Sequence, residues 1–497
     1  MDVFLNIIEK INSGLSDYVL IILLVGVGVF FTVRTRFVQL RCFGEGIKQV
    51  FGGLSLKGKK QKGGMSSFQA LATAIAAQVG TGNIVGASGA ILIGGPGAIF
   101  WMWVIAFLGM ATNYAEAVLA QKTREVDPEG NVHGGPVYYI RRAFKGRFGK
   151  FLAVFFSVST IFALGFMGLM VQSNSIAESF SVAFGIPSNW TWIIGVVLVA
   201  LCAFIFFGGM QRLASITEKI VPIMALLFLL CGLVVICFRI KYIPETVGMI
   251  FRYAFTPSAL IGGGAGAAIK IAVSQGAKRG LFSNEAGMGS TPHAHAMASV
   301  KHPHEQGVAA MIGVFIDTFL VLTMTALVII STLYTEGGLL YGLSGEAYIS
   351  AVSGADAVIS KTDAMQQAVT SVFGTVGRVN IGNLFVAICI LFFAFSTIIC
   401  WNFFGKLNAK YLFKNNKIAV AIYSTLSVIF VFLGTVLSND LVWELTDFFN
   451  YLMVLPNVIA LIALSRLVAD ETKEARARKK RKAEAAKGVC NDSESIS

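Results

Sequence analysis

The sequence predicts an all-α membrane protein of eleven spans, built as one N-terminal helix followed by two inverted blocks of five. Three observations predict it. The chain is 55% hydrophobic and only 13% charged, with a mean hydropathy of +0.72, far from soluble usage. Apolar runs near the roughly 20 residues that cross a bilayer recur along most of its length. Two apolar helices, at corresponding places in the two blocks, are interrupted by glycines.

Taken in order, the spans are expected at about 18–33, 66–92, 96–120, 150–180, 191–208, 217–238, 261–300, 305–333, 381–405, 417–437 and 441–466. No cleavable signal peptide is evident, so Tyr18 to Val33 reads as an uncleaved span. Basic residues orient the set. Arg34, Arg36, Arg41, Lys48, Lys57, Lys59, Lys60 and Lys62 follow span 1, which puts the loop 34–65 in the cytoplasm and residues 1–17 outside. Lys122 to Lys150 between spans 3 and 4, and Lys406 to Lys417 between spans 9 and 10, agree. An odd number of spans then leaves the basic tail 467–497 inside, with Gly488 to Ser497 expected to be disordered. Arg239 and Lys241 run against this count, because it places them outside. The polar stretch 334–380 is expected to form an external cap.

Without span 1, spans 2–6 (66–240) and 7–11 (241–466) are two blocks of five. An odd number of spans per block makes the second enter the membrane in the opposite sense to the first, which is an inverted repeat. The net charge of +13 lies in short loops and the tail beside apolar segments, where it sets topology and meets anionic lipid; it is no sign of nucleic-acid binding. The seven cysteines are scattered and read as reduced packing residues.

The interrupted helices carry the chemistry. The first breaks at Gly80-Thr81-Gly82-Asn83, the second through Gly276 to Gly280. A break frees backbone N–H and C=O groups at a depth where lipid cannot satisfy them. The half-helix starting near Asn83 turns N–H groups and a positive dipole end to the gap, which suits a carboxylate. The half-helix ending near Val79 turns C=O groups to it, which suits Na⁺ or an ammonium. Together they fit a zwitterion and a cation, and paired breaks of this kind mark a secondary transporter's site. Glycine pairs also serve simple packing between membrane helices. Adjacent Ser396 and Thr397 offer hard oxygens for Na⁺, although such hydroxyls commonly bond their own helix. Lys278, Arg279 and Glu285 are expected to neutralise one another at a cytoplasmic gate. Asp317, deep in span 8, is a candidate for an ion-linked or structural network. Gln172, Asn174, Asn113 and Glu116 are polar groups whose facing is open. His293, His295, His302 and His304 lack the spacing and the nearby cysteine of a zinc site, and read as residues flanking a cytoplasmic loop.

Three stretches carry a resemblance: Gly94-Gly95-Pro96-Gly97 running on to Gly109, Gly80-Thr81-Gly82-Asn83-Ile84-Val85-Gly86, and Lys278 to Ser290. With Ser396-Thr397 and Trp401-Asn402, they resemble the alanine-or-glycine:cation symporter family over roughly residues 15–465. The resemblance implies a leucine-transporter-like fold with one extra N-terminal helix, and Na⁺-coupled uptake of a small neutral amino acid, with H⁺ coupling in some members. It implies that Thr81, Gly82 and Asn83 hold the substrate carboxylate, that Ser274, Gln275 and Gly276 meet the amino group, and that Gln172 and Trp401 line the side-chain pocket. It also implies Na⁺ at the carbonyls of Ala76 and Val79 and the hydroxyls of Ser396 and Thr397. The expected setting is a monomer in a bacterial plasma membrane. Glutamine, serine or D-alanine remain alternative substrates. An ion channel fits the paired breaks poorly, since a channel needs a continuous polar pore. No catalytic constellation, nucleotide motif or signalling module points to an enzyme, a pump or a sensor.

Overall fold

In a computed structural model, residues 2–52, 64–262, 264–353, 357–376 and 379–494 are described. Lys57, Lys59, Lys60 and Lys62 lie outside them. Among the described residues, eight helices are long and apolar enough to cross a membrane: Asn6–Arg34 (span 1), Ala98–Thr123 (span 3), Gly146–Phe184 (span 4), Gly209–Phe238 (span 6), Pro303–Leu333 (span 8), Ile381–Leu412 (span 9), Lys417–Gly434 (span 10) and Asn439–Ala463 (span 11). A bent pair, Ser67–Gln78 with Gly82–Gly94, makes span 2. The shorter Trp192–Phe206 stands at span 5 and the less apolar Ala265–Asn284 at span 7. A helix thus stands at each of the eleven expected positions among the described residues, and eight of these, or nine with the bent pair taken as one span, are long and apolar enough to cross a membrane. Large apolar side chains on spans 5, 6 and 10, such as Phe204, Leu226, Leu230 and Ile422, are exposed and form a lipid-facing surface.

The packing pairs like with like across the two blocks. Span 3 packs on span 8, span 4 on span 9 and span 5 on span 10. The opposite sense of the blocks is visible at one end. Met65 and Ser66, just before span 2, pair in parallel with Ala298 and Ser299, which follow span 7. The start of one block's first helix thus lies beside the end of the other's.

Span 8 defines the two faces of the molecule. It begins beside the tail helix Ser465–Glu494 and ends in the stretch that carries the cap helices Gly345–Val352 and Ala364–Phe373. Tail helix and cap therefore mark opposite faces. The tail is helical as far as Glu494, beyond the Gly488 at which disorder was expected. It is fastened by Glu471, which takes Lys122 at 2.8 Å and Arg478 at 2.7 Å. Arg239, the basic residue that ran against the charge count, is occupied locally. It donates to the carbonyl of Ser331 at 2.8 Å and to the Thr335 hydroxyl at 2.6 Å, capping the end of span 8.

Span 2 breaks where the glycines predict. Ser66 and Gln69 form a reciprocal capping box at its start, and the helix stops at Val79, whose ψ of 85° is not helical. A π-helical turn, Gly82–Gly86, restarts it, and the halves are bent by 45°. Span 7 differs from expectation. It is continuous from Ala265 to Asn284, so Gly276 and Gly280 do not unwind it. A side chain at Gly276 would stand 2.6 Å from the Trp101 Cβ and 2.8 Å from the Ala98 carbonyl, so this glycine brings spans 7 and 3 close together. An interior glycine costs a helix only about 1 kcal/mol, which tight packing offsets. The break comes later, where Glu285 is left-handed at φ 56° and Gly287 and Gly289 stand at φ 92° and 80°. Substituting Gly276 by Ala should destabilise the protein by about 1–3 kcal/mol through overpacking. A thermal melt in detergent that is unchanged in this variant would contradict the packing role.

Candidate functional site

Polar groups from spans 4, 7, 8 and 9 gather around the break in span 2. The Gly80 N–H donates to the side-chain oxygen of Asn83 at 3.0 Å, and the Thr81 N–H donates to Gln172 Oε1 at 3.1 Å. Asn83 Nδ2 in turn donates to the Asp317 carboxylate at 2.6 Å and to its carbonyl at 3.1 Å. Asn83 is thus spent on positioning the loop, with its oxygen on Gly80 and its nitrogen on Asp317. The carboxylate contact that the resemblance implies for Asn83 would have to be made alongside these two bonds.

Asp317 gains the partners that its sequence context left open. It also accepts from Ser283 Oγ at 2.9 Å and from Thr318 Oγ1 at 2.8 Å. Gln78 reaches the Asn284 carbonyl at 2.7 Å. Spans 2, 7 and 8 therefore share one buried polar core. Asp317 sits in a π-helical stretch, Phe315–Leu322; with Gly82–Gly86 in span 2 itself and Ala163–Met167 in span 4, π-turns occur in three of the spans that meet here. Such turns widen a helix locally and concentrate at functional sites.

On the other side of the break lie carbonyls and hydroxyls. Thr397 Oγ1 is 2.9 Å from the Ala76 carbonyl and 3.4 Å from that of Ala77, while Ser396 Oγ is 3.5 Å from Ala76. Both hydroxyls can also donate to the Phe393 carbonyl, at 2.9 Å from Ser396 and 3.0 Å from Thr397. Donating there would turn the hydroxyl lone pairs toward the end of the half-helix, whose dipole is negative. These are hard oxygens at a site that favours a cation. Val79 is the residue where the helix turns away, and the hydroxyl contacts fall on Ala76 and Ala77 instead.

Trp401 stands one turn beyond Thr397. Its ring meets Phe282 edge-on at 5.7 Å, and its N–H donates to Glu285 at 2.5 Å. A side chain at Gly168 would stand 2.5 Å from that ring, and one at Gly82 would stand 3.0 Å from Phe282. The space around Gly80–Gly82 is therefore narrow. Thr81, Asn83, Gln172, Ser396 and Thr397 are fully buried. Two polar atoms there have no protein partner, Thr81 Oγ1 and Gln172 Nε2. A buried orphan polar atom is costly unless something else satisfies it.

Other expected residues lie elsewhere. Gly276 faces span 3, and Gln275 packs beside Gly94 in the second half of span 2. Across from Gly82 stand Phe282 and Ser283. Arg279 and Glu285 do not neutralise each other. Arg279 pairs with Asp447 on span 11 at 3.2 Å and lies over the Trp443 ring at 4.6 Å. Lys361 of the cap lies over the same ring at 5.6 Å, so this nearly buried pair closes the cap side, not the tail side. Glu285 goes to Trp401 and Ser290. Asn174 caps span 10 through the carbonyls of Gly434 and Leu437, and Asn113 reaches the Ala310 carbonyl. Glu116 accepts from the N–H groups of Gly287 and Gly289, which holds the break after span 7.

Comparisons with known proteins identify the family. The model of the sodium:alanine symporter family matches residues 1–488. The chain belongs to that family. A sodium/alanine symporter, AgcS, of Methanococcus maripaludis is 38% identical over 471 residues, covering 95% of this chain and 97% of the relative. A probable sodium/glutamine symporter, GlnT, of Bacillus subtilis is 36% identical, covering 96% and 91%. A putative sodium/proton-dependent alanine carrier, YrbD, of the same organism is 38% identical, covering 93% and 90%. Among solved structures, MhsT in complex with L-phenylalanine superposes with a TM-score of 0.55 at 12% identity, covering 83% of this chain and 96% of that one. The fold is that of the leucine-transporter group. As a member of the sodium:alanine symporter family the chain is a multi-pass secondary transporter, not an enzyme.

Replacing Asn83 by Ala removes the donor to Asp317 and leaves a buried acceptor unpaired, at about 1–3 kcal/mol. The melting temperature in detergent should fall accordingly. A melt matching the parent would mean that Asn83 does not organise the loop.

Proposed function

We propose that this chain imports a small neutral amino acid, alanine or glycine, together with Na⁺, by alternating access. The observation that carries the reading is the pair of buried orphan atoms, Thr81 Oγ1 and Gln172 Nε2, at a break whose other end gathers Ala76, Ser396 and Thr397 oxygens. The orphan donors suit a substrate carboxylate held with the backbone of Thr81 and Gly82. The oxygens suit Na⁺. Trp401 and Phe282 bound the space left for the side chain, and the narrowness around Gly82 favours a small one.

Na⁺ between spans 2 and 9 stiffens the break, so the amino acid loses less freedom when it binds; the effect is reciprocal. With both bound, spans 2 and 7 rock against the remaining helices, the Arg279–Asp447 pair stays shut on the cap side, and release is toward the tail side. The basic loops and tail support a cytoplasmic position for that side. Inward movement of one Na⁺ charge gains about 2.3 kcal/mol per 100 mV of membrane potential. A second reading, H⁺ coupling, draws on Asp317, a fully buried carboxylate bonded to the break.

Purified protein in liposomes should accumulate labelled alanine only under an inward Na⁺ gradient. Equal uptake in choline medium would sink Na⁺ coupling, and uptake driven by a pH gradient alone would favour the proton reading. Competition by unlabelled glycine but not glutamine is expected from the narrow pocket. Thr397→Ala should raise the Na⁺ concentration for half-maximal uptake about tenfold, equivalent to about 1.4 kcal/mol, with little change in side-chain preference. An unaltered Na⁺ dependence would remove Thr397 from the ion site.

A further inference from the structure

Three elements distant in sequence meet at the tail face: the short helix Phe43–Phe51 after span 1, the first turn of span 8, and the tail helix. Cys42 is the cap residue of the short helix and Glu45 lies three residues on, so their side chains share a face. His304, the second residue of span 8, stands opposite and is nearly buried. One ligand atom from each of Cys42, Glu45 and His304 lies within 4.8 Å of the other two. The sequence gives no hint of this. His304 has no cysteine near it in the chain, and the fold supplies one from 262 positions earlier.

The surroundings are arranged as around a metal. His304 turns Nε2 to Glu45 Oε1 at 3.2 Å, while Nδ1 is held at 2.7 Å by the Tyr114 hydroxyl, itself 3.2 Å from Thr472 Oγ1. A ligating histidine is characteristically fixed through its other ring nitrogen in this way. Lys479 takes the second Glu45 oxygen at 3.5 Å, so Oε1 stays turned toward the histidine. A cavity of about 700 Å³ reaches Glu45 and His304 from solvent, with His302 on its wall; it gives an entry path and room for a fourth ligand. None of these residues touches the break in span 2.

We propose that Cys42, Glu45 and His304 form a binding site for Zn²⁺ or a similar borderline-soft divalent cation, with an open fourth position. A thiolate with an imidazole and a carboxylate is a donor set that Zn²⁺ takes at four-coordinate sites, and the sulfur disfavours Mg²⁺, Ca²⁺ and Na⁺. Occupancy ties the helix after span 1 to span 8, linking the extra N-terminal segment to the second repeat. The proposal is independent of which amino acid the protein carries.

The probe is Co²⁺, added to the purified full-length protein under reducing conditions and then displaced by Zn²⁺. One equivalent per chain, with a thiolate-to-cobalt absorption band, is expected. The band should vanish in Cys42→Ser, and the dissociation constant should rise at least tenfold in His304→Gln. Should either variant fail to fold, the unsubstituted protein answers. Zn²⁺ should slow alkylation of Cys42 at least tenfold, as mapped by peptide mass spectrometry. No stoichiometric binding, a thiolate band that persists in a folded Cys42→Ser variant, or Cys42 alkylation indifferent to Zn²⁺ would overturn the site.

Discussion

The structure depends on one constraint. Backbone groups released inside a membrane helix must find partners, and lipid offers none. Span 2 stops at Val79, and everything nearby follows from that stop. The Gly80 and Thr81 N–H groups require Asn83 and Gln172. Asn83 requires Asp317, and Asp317 requires Ser283 and Thr318. The carbonyls on the other side draw Ser396 and Thr397. Spans 4, 7, 8 and 9 are held around span 2 by these bonds. Two buried polar atoms, Thr81 Oγ1 and Gln172 Nε2, are left over without a protein partner.

The same logic explains the asymmetry between the two broken elements. In span 2 the gap lies between two half-helices, where opposed dipole ends face it. In span 7 the helix persists to Asn284, and the irregular backbone after it is held by carboxylates, Glu116 on Gly287 and Gly289, Glu285 on Ser290 and Trp401. Glu285 thereby connects the second break to the aromatic wall of the first. A shift in the 285–290 segment would be felt at Trp401, and through Phe282 beside the break in span 2. That coupling is what alternating access asks of the two first helices of an inverted repeat.

Much of this was readable from the residues. Gly80-Thr81-Gly82-Asn83 marks its break because two glycines two apart, followed by an asparagine, interrupt an otherwise apolar run. The spans follow from apolar length. The second break lies later than Gly276 and Gly280 suggest, because a glycine in a helix has two roles that look alike in sequence. Gly276 and Gly280 serve close packing against span 3, whereas Gly287 and Gly289 serve positive φ. Pairings across the fold were the least legible. Arg279 finds Asp447 and not Glu285, and His304 finds Cys42, because ionic and polar partners are chosen by helix packing, which sequence spacing does not encode.

The central claim is that Na⁺ and the amino acid meet at one break and bind cooperatively. The direct measurement is calorimetric titration of alanine into purified protein, in Na⁺ and in choline, followed by titration of Na⁺ with and without alanine. The account predicts that each ligand tightens the other by the same factor, as reciprocal coupling requires, and that this factor collapses in Thr397→Ala. Alanine affinity that is identical in Na⁺ and choline would contradict it.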